Sequence, residues 1–329
     1  MSTQSQIHIT RYAKNPILVP KKDNWWESQA VFNCSTYCDG NSVHMFYRAI
    51  GEYEFYISRI GYASSTDGFH FVRRHDVAIP ITEKYEKYGM EDPRITQIDN
   101  EIYVTYVVLS DYLKKRPKVY SAIAKTDDCN TFNKLGIISS KFEDNKDLVL
   151  FPEKFYFKDN FNNYKKEYYL SLHRPGKRIG LEYGTTKPSI WLRKSSTLFN
   201  MRDGILLLKP EQVWEELKIG TGPPPLKTDK GWLLIYHGVD KNKVYRAGAA
   251  ILDLNDPTKV LARTKKPFLE PVEIYEKFGD VSNVVFPTGL TTLDGKLLLY
   301  YGGADKVCCV ASVNLDEFLE YILEGKVVN

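Results

Sequence analysis

A β-hairpin pattern that recurs five times is the feature of this 329-residue sequence that most constrains its fold. Two apolar segments flank a turn in each copy, as in NCSTYCDGNSVHMFYRA (33–49) and PTGLTTLDGKLLLYYGG (287–303). The other copies begin near residues 95, 151 and 223, and the turn of the copy at 151 is expanded into a longer loop. A further apolar segment follows every hairpin, and the hairpins start about sixty residues apart. Radial repetition of such units predicts an all-β, five-bladed β-propeller that occupies residues 1–329 as a single domain.

A pair of β-sandwiches whose hairpins resemble one another by chance is the alternative architecture. We favour the propeller because unusual residues take the same place in each unit, just before or on the first strand. They are Asn33, Asp92, Glu153, the prolines from Pro223 to Pro225, and Pro287. The first strands of a propeller line its central channel, so these positions should converge on one funnel. Helical periodicity is confined to LDEFLEYIL (315–323), which predicts a short C-terminal helix.

Composition and charge exclude several classes of protein. A hydrophobic content of 43% supplies a full core, and a net charge of +4 is too small for a nucleic-acid-binding surface. The five cysteines form no metal-ligand pattern with the six histidines, so we expect reduced, buried thiols and no metal. No apolar run has the length of a transmembrane helix or a signal peptide, so we expect a cytoplasmic protein without membrane contact. A homo-oligomer is compatible with the sequence.

The stretch YGMEDPRITQ (88–97) places two carboxylates, Glu91 and Asp92, and the guanidinium of Arg94 where an apolar strand begins. A strand that only packed against its neighbours would not open with adjacent charges. We therefore interpret Asp92 as a carboxylate that points at a ligand from the solvent end of a channel-lining strand. The alternative is that Asp92 is a turn or bulge residue held by Arg94.

Several segments resemble, in order from about Asn15 to Asp305, the signature blocks of the β-mannoside phosphorylases, glycoside hydrolase family 130. They are MEDPRIT, LFPEK, LHRP, KIGTGPPPLKT, LIYHGVD, YRAGAAILDLNDPTKVLAR and GDVSNVVFPTG. The resemblance implies the five-bladed propeller and a single catalytic acid, Asp92, which acts through a sugar hydroxyl. One phosphate-binding arginine of some members has no obvious counterpart near LSDYLKKRPKVY (109–120).

The resemblance also assigns expected roles to other residues of the funnel. It implies a phosphate site at Arg174, Lys218 and His237. It further implies that Asp280 holds sugar hydroxyls and that Arg48 and Arg94 contact the mannosyl group or the phosphate. Asn33 and Glu153 complete the expected substrate-binding set because they are channel positions of the repeat.

One acid and three cations favour phosphorolysis over hydrolysis. An inverting hydrolase needs a second carboxylate to activate water. Phosphate is itself an anionic nucleophile, and it needs cations to hold it near C1. The expected reaction is reversible, inverting phosphorolysis of a β-1,2- or β-1,4-mannoside to α-mannose 1-phosphate and a shortened acceptor. Phosphate is then a co-substrate, and no cofactor is expected.

Other functions and other interpretations of these residues stay open on the sequence alone. A β-mannosidase, a mannosyltransferase that uses a nucleotide sugar, and a non-catalytic carbohydrate-binding propeller are the competing functions. Among the residues, Arg174 could stand at a solvated strand end, and Lys218 could pair with Glu215 or Glu216. Glu153 could pair in the neighbourhood of Lys154 or cap its strand. The linkage and the acceptor are not determined by the sequence.

Overall fold

The computed structural model describes residues 7–113, 116–141, 143–158, 165–199 and 204–326, apart from the side chains of 111–113, 116 and 158. Its strands form five antiparallel sheets, which are the blades of a β-propeller, so the predicted fold is confirmed. The expanded turn expected within the third hairpin, at residues 159–164, lies outside the described residues.

Consecutive strands build each of blades 1 to 4, and the first strand of the chain, β1, belongs to blade 5. Blade 1 contains β2 (Ala30–Cys38), β3 (Val43–Ile50), β4 (Ser58–Ser65) and β5 (Val72–Arg73), and blade 2 contains β6 (Met90–Ile98), β7 (Glu101–Leu113), β8 (Arg116–Thr126) and β9 (Asn133–Ile137). Blade 3 contains β10 (Asn145–Lys158), β11 (Lys165–Pro175), β12 (Ile190–Ser195) and β13 (Ile205–Leu208), and blade 4 contains β14 (Lys218–Thr221), β15 (Leu226–Thr228), β16 (Gly231–Val239), β17 (Tyr245–Leu252) and β18 (Val260–Arg263). Blade 5 contains β1 (Thr10–Arg11), β19 (Val285–Leu293), β20 (Lys296–Gly303) and β21 (Val307–Asn314).

The ring of blades is closed by the two ends of the chain. Strand β1 pairs with β21, with Thr10 opposite Ser312, and so forms the outer strand of blade 5. Arg11 adds an ion pair from its Nε to Oε1 of Glu276 at 2.7 Å. The first and last strands therefore share one sheet.

Helices are few and short among the residues that the structure describes. They are α1 (Ile274–Lys277), α2 (Leu315–Leu323) and four single 3₁₀ turns at Trp25–Glu27, Lys84–Glu86, Leu181–Tyr183 and Val213–Glu215. The side chain of Asn314 caps α2 by accepting a hydrogen bond from the N–H of Glu317, and α2 buries Phe318 and Ile322. The predicted C-terminal helix is confirmed. No helix in the described part of the chain has the length and apolarity needed to span a membrane.

Four of the short helical turns each carry a fully buried glutamate just before the first strand of a blade. These blade carboxylates are Glu27, Glu86, Glu215 and Glu276. Each accepts a hydrogen bond from a tyrosine hydroxyl on the second strand of its own blade, at 2.7 to 2.9 Å, and pairs with a cation from the outer strand. A buried charge is tolerated only when it is paired. Each blade carboxylate therefore ties its loop to both strands of the blade.

The first strands meet around the channel, and a β-bulge interrupts four of them, β2, β6, β10 and β19. Three of these bulges contain a polar residue, namely Asn33 in β2, Asp92 in β6 and Asp147 in β10. Their φ angles are 51°, 50° and 58°, a left-handed backbone that asparagine and aspartate adopt more readily than most residues. A bulge redirects the side chain that it carries. The fold therefore presents polar side chains from three of the channel-lining strands.

Candidate active site

Asp92 is presented from the bulge of β6, where it is only 7% exposed. Its Oδ1 accepts hydrogen bonds from Nδ2 of Asn33 at 2.8 Å and from Nη1 of Arg48 at 3.4 Å. A Cβ on Gly302 would clash with the amide oxygen of Asn33, so this position requires glycine. Asp92 is thus a bulge residue, as the alternative interpretation expected. Its carboxylate is also hydrogen-bonded to Asn33 and Arg48 in the channel.

The pKa of Asp92 is governed by the cations around it. Burial favours the neutral acid, but Arg48, Lys146 and Arg94 hold the pKa of Asp92 below its ordinary value. Asp92 is consequently a carboxylate in the free protein.

Glu91 has a different role from its neighbour Asp92. Its Oε1 lies 2.6 Å from Nη2 of Arg48 and its Oε2 lies 3.0 Å from Nζ of Lys146. Arg48 also donates from Nε to Oγ of Ser58 at 2.8 Å. Although burial opposes it, Glu91 and Asp92 raise the pKa of Arg48 and keep its charge fixed. Glu91 therefore orients two cations beside Asp92.

Arg94 lies across the channel from blade 2 to blade 4. Its Nε donates to the carbonyl oxygen of Gly222 at 2.7 Å, and its Nη1 donates to the carbonyl oxygens of Asp92 and Pro93 at 3.1 and 3.0 Å. The side chain is 1% exposed, and burial lowers its pKa. Arg94 thus holds the backbone of the Asp92 bulge and does not bind the Asp92 carboxylate.

The structure brings Arg174, Lys218 and His237 together around Asp147. Nε of Arg174 lies 2.7 Å from Oδ2 of Asp147, and Nε2 of His237 lies 3.9 Å from the same oxygen. Nζ of Lys218 lies 5.0 Å from the ring centroid of Tyr245, and it makes no ion pair within the described part of the chain. Arg174 is therefore not at a solvated strand end.

The alternative partners of Lys218 do not hold it. Glu215 is bound instead to Arg263 at 2.8 Å and to the hydroxyl of Tyr236 at 2.8 Å. Strand β14 can approach Asp147 and His237 closely because residue 220 is glycine. A Cβ at this position would clash with Oδ2 of Asp147 and the ring of His237.

Positive charge exceeds negative charge around Asp147. Burial, with help from Arg174, lowers the pKa of Lys218 to about 8. Burial lowers the pKa of His237 to about 3, so its imidazole is neutral at pH 7, and neither ring nitrogen has a hydrogen-bond partner among the described residues. Despite burial, Arg174 and His237 hold the pKa of Asp147 well below its usual range. This side of the site is suited to an added anion.

Two further acids border the opening above Asp92. Oδ1 of Asp280 accepts hydrogen bonds from the hydroxyl of Tyr53 at 2.7 Å and from Nζ of Lys306 at 3.1 Å. Burial raises the pKa of Asp305 to about 7; Arg48 lowers it, and the neighbouring carboxylates Asp92 and Asp280 raise it. Asp280 was predicted from its motif, whereas Asp305 was not.

The sequence predicts that Glu153 faces the channel and binds substrate, but no described contact joins its side chain to Asp92 or Asp147, and its binding role stays a prediction. Glu153 lies on β10, but its side chain is 36% exposed and pairs with Lys227 at 2.6 Å. The bulge of β10 falls between Lys146 and Val149, so Asp147 is the blade 3 counterpart of Asp92. Lys146 and Asp147 were missed because KDLVLF carries no motif, and only the pairing of β10 with β11 reveals the bulge.

Comparison with known proteins identifies the family of this chain. Residues 7–324 match the family model of glycoside hydrolase family 130, described as β-1,4-mannooligosaccharide phosphorylase. A 1,2-β-oligomannan phosphorylase from Thermoanaerobacter sp. (strain X514) is 39% identical over 317 residues, which cover 94% of this chain and 99% of the relative. A β-1,2-mannobiose phosphorylase from the same organism is 38% identical over 325 residues, which cover 94% and 98%.

A solved structure agrees with the sequence matches. The β-1,2-mannobiose phosphorylase from Listeria innocua, in complex with β-1,2-mannobiose, aligns with a TM-score of 0.81 at 29% identity, over 96% of this chain and 99% of that one. The family model and the two relatives each cover nearly the whole chain. The chain therefore belongs to glycoside hydrolase family 130.

Proposed function

We propose that this protein is an inverting phosphorylase that transfers a β-linked mannosyl group to inorganic phosphate. The products are α-mannose 1-phosphate and a shortened acceptor, and the reaction is reversible. The observation that carries the proposal is the division of the site into two halves. One half presents the acid Asp92, and the other gathers Arg174, Lys218 and His237 around a single acid, Asp147, that is already paired.

The two halves of the site serve the two groups that react at C1: the acid half serves the leaving oxygen, and the cationic half holds the attacking phosphate. A phosphate oxygen attacks C1 as the bond from C1 to the leaving oxygen breaks, and the leaving oxygen gains a proton that Asp92 supplies through a sugar hydroxyl. Arg174 and Lys218 hold the phosphate, and the neutral imidazole of His237 donates one N–H to it. The phosphate also brings negative charge close to the cations that depress the pKa of Asp92. Binding of phosphate should therefore raise that pKa and favour the protonated acid.

The sugar is assigned to the acidic half of the site. Asn33, Arg48, Asp280 and Asp305 have donor and acceptor groups suited to mannosyl hydroxyls, whereas Arg94 supports the bulge from below. We assign a β-1,2 linkage to the substrate because the relatives at 39% and 38% identity are both named for that linkage.

Hydrolysis is less consistent with the geometry. An inverting hydrolase needs a carboxylate base on the face opposite the acid. Asp147 is the acid on that side, but it is 3% exposed and bound to Arg174, and its pKa is held well below the usual range. Such a carboxylate is a weak base.

The deciding experiment is incubation with β-1,2- and β-1,4-mannobiose, each with and without inorganic phosphate. We expect α-mannose 1-phosphate, detected by NMR, only when phosphate is present, and faster turnover of the β-1,2 substrate. Release of free mannose at the same rate without phosphate would replace the proposal with a β-mannosidase.

A further inference from the structure

A cleft of about 420 Å³ opens between blades 2 and 3 beside the candidate active site. We call it the lateral cleft. Its walls come from the start of β8, the segment that precedes β10 and the end of β11, and its lining includes Lys146 and Arg174. Lys146 binds Glu91 beside Asp92, and Arg174 binds Asp147. The inner end of the lateral cleft therefore reaches the active site between Asp92 and the cationic half.

The lateral cleft is positively charged along its length. Five cationic side chains line it, namely Lys118, Lys141, Lys146, Arg174 and Lys177. The lining also contains two acids, so cations outnumber acids by five to two: Glu143 lies 3.6 Å from Arg178 and 3.7 Å from Arg193, and Asp144 accepts a hydrogen bond from the N–H of Val119, within the cleft, at 3.3 Å. A cleft lined by charges of one sign concentrates ions of the opposite sign.

The region above Asp92 lacks such an excess of positive charge. We call it the axial mouth, and Tyr53, Asp280, Asp305 and Lys306 lie there. Asp280 is paired with Lys306 at 3.1 Å, and the carboxyl and hydroxyl groups of the axial mouth can exchange hydrogen bonds with sugar hydroxyls. The axial mouth therefore suits a neutral saccharide, whereas the lateral cleft suits a small oxyanion.

The stereochemistry of the proposed reaction separates the two substrates further. Inversion requires the nucleophile to approach C1 from the face opposite the leaving group. With phosphate held by Arg174 and Lys218, the acceptor must lie on the other side of the mannosyl group, away from the lateral cleft. A bound mannoside then covers the axial mouth and leaves the lateral cleft open.

We propose that the lateral cleft is a separate entrance through which inorganic phosphate reaches the active site while the mannoside occupies the axial mouth. The inference rests on the proposed phosphorylase function. It makes Lys118 and Lys141, at the outer end of the cleft, residues that attract phosphate without contacting it in the bound state.

The charge of the entrance is tested with the variant Lys118→Gln/Lys141→Gln. At low ionic strength we expect kcat/KM for phosphate to fall about three- to tenfold, the low end of the range for steering by charged clefts. The loss should shrink as sodium chloride is added, while kcat and the KM for β-1,2-mannobiose stay within about twofold. The matched control is Lys165→Gln/Lys296→Gln, which removes the same net charge from two exposed hairpin ends. An equal loss in the control, or no loss in the cleft variant, would overturn the proposal.

The independence of the entrance is tested with the wild-type enzyme by varying β-1,2-mannobiose at fixed, low phosphate. With two entrances, saturating mannoside leaves phosphate access open, so we expect random-order kinetics and no inhibition. With one shared entrance, high mannoside would inhibit competitively against phosphate, and that result would overturn the inference. Formation of α-mannose 1-phosphate in the same assay reports on the proposed function separately. An enzyme that forms it but shows the inhibition keeps the function and loses the second entrance.

Discussion

Asp92 shows how the residues around an acid decide when it can donate a proton. Burial alone would keep it protonated, but Arg48 and Lys146 lower its pKa in the free protein. Both cations are themselves fixed by Glu91, at 2.6 and 3.0 Å. We therefore expect an anion in the cationic half of the site to offset these cations and raise the pKa of Asp92.

The variant Asp92→Asn tests the assignment of the general acid. The amide keeps the size of the side chain but cannot deliver a proton, so we expect kcat to fall by about 10²- to 10⁴-fold or more. The melting temperature and the circular dichroism spectrum should remain close to those of the wild type. A folded variant with nearly wild-type turnover would show that the proton comes from another group, and Asp305 would be the next residue to test.

The pH dependence of phosphate use should follow Lys218. Its pKa is lowered to about 8, whereas His237, with a pKa of about 3, stays neutral over the working range. As pH rises through about 8 the free enzyme loses the Lys218 charge, so the KM for phosphate should rise. Lys218→Met should raise that KM about 10- to 150-fold at neutral pH, the value of a charge-assisted hydrogen bond of about 1.5–3 kcal/mol, and flatten the profile.

Lys218→Arg is the control for the pH profile. A guanidinium keeps its charge throughout this range, so the rise in KM for phosphate should disappear below about pH 10. The KM for mannoside should change little in either variant. A rise near pH 8 that persists in Lys218→Arg would assign the titration to a different group.

At the scale of elements, local patterns were sufficient for the hairpins and insufficient for the bulges. The turns at Asp39-Gly40 and Asp294-Gly295 are set by adjacent residues, so the sequence predicted them and, with them, the blade count. The bulge at Asp147 depends on the register of β10 against β11, which no local pattern specifies. Glu153, the acid of the LFPEK motif, was therefore selected in place of Asp147.

The blade carboxylates were missed although the sequence contains a signal for them. An aromatic residue precedes glutamate in all four turns, as Trp26-Glu27, Tyr85-Glu86, Trp214-Glu215 and Tyr275-Glu276. In blades 1, 2 and 4 the glutamate of this pair lies three or four residues before the first strand, and in blade 5 it lies nine residues before it. A search for repeats among polar residues would have found it.

Strand β14 gives a prediction about close packing at the phosphate half. A Cβ at Gly220 would clash with Oδ2 of Asp147, which in turn fixes Arg174 at 2.7 Å. We expect Gly220→Ala to displace this pair and raise the KM for phosphate at least tenfold, with a small change in the KM for mannoside. Gly40→Ala is the control: its φ of 96° makes the substitution strained, but the new Cβ meets nothing within 4 Å. A similar kinetic change in the control would attribute the effect to general destabilisation.

At the scale of the whole molecule, the position of the site depends on closure of the ring. Asn33 comes from blade 1, Asp147 from blade 3 and Asp280 from the segment before blade 5, so the site exists only when the blades are joined. Closure is made by β1, whose two residues are too few for any periodic pattern, so the sequence did not predict it. Arg11 supplies the cation of the blade carboxylate Glu276, just as the outer strands of three other blades do for theirs.

Arg11→Met should therefore lower the free energy of unfolding more than the loss of an ordinary surface charge does. The substitution leaves Glu276, which is fully buried, with the hydroxyl of Tyr301 at 2.8 Å but without its cation. Removing one partner of a buried pair costs about 3–5 kcal/mol, and we expect the lower end because Arg11 is 19% exposed.

Urea unfolding measures this cost. The midpoint should fall while the slope stays constant, and kcat below the midpoint should not change because Arg11 lies outside the site. The control Lys259→Met breaks a pair in which the lysine is 64% exposed, and it should cost at most about 1 kcal/mol. Adding Glu276→Gln to Arg11→Met should recover part of the loss, since the uncompensated charge is then removed. Equal midpoints for Arg11→Met and Lys259→Met would show that the strand pairing of β1, and not its ion pair, holds the ring closed.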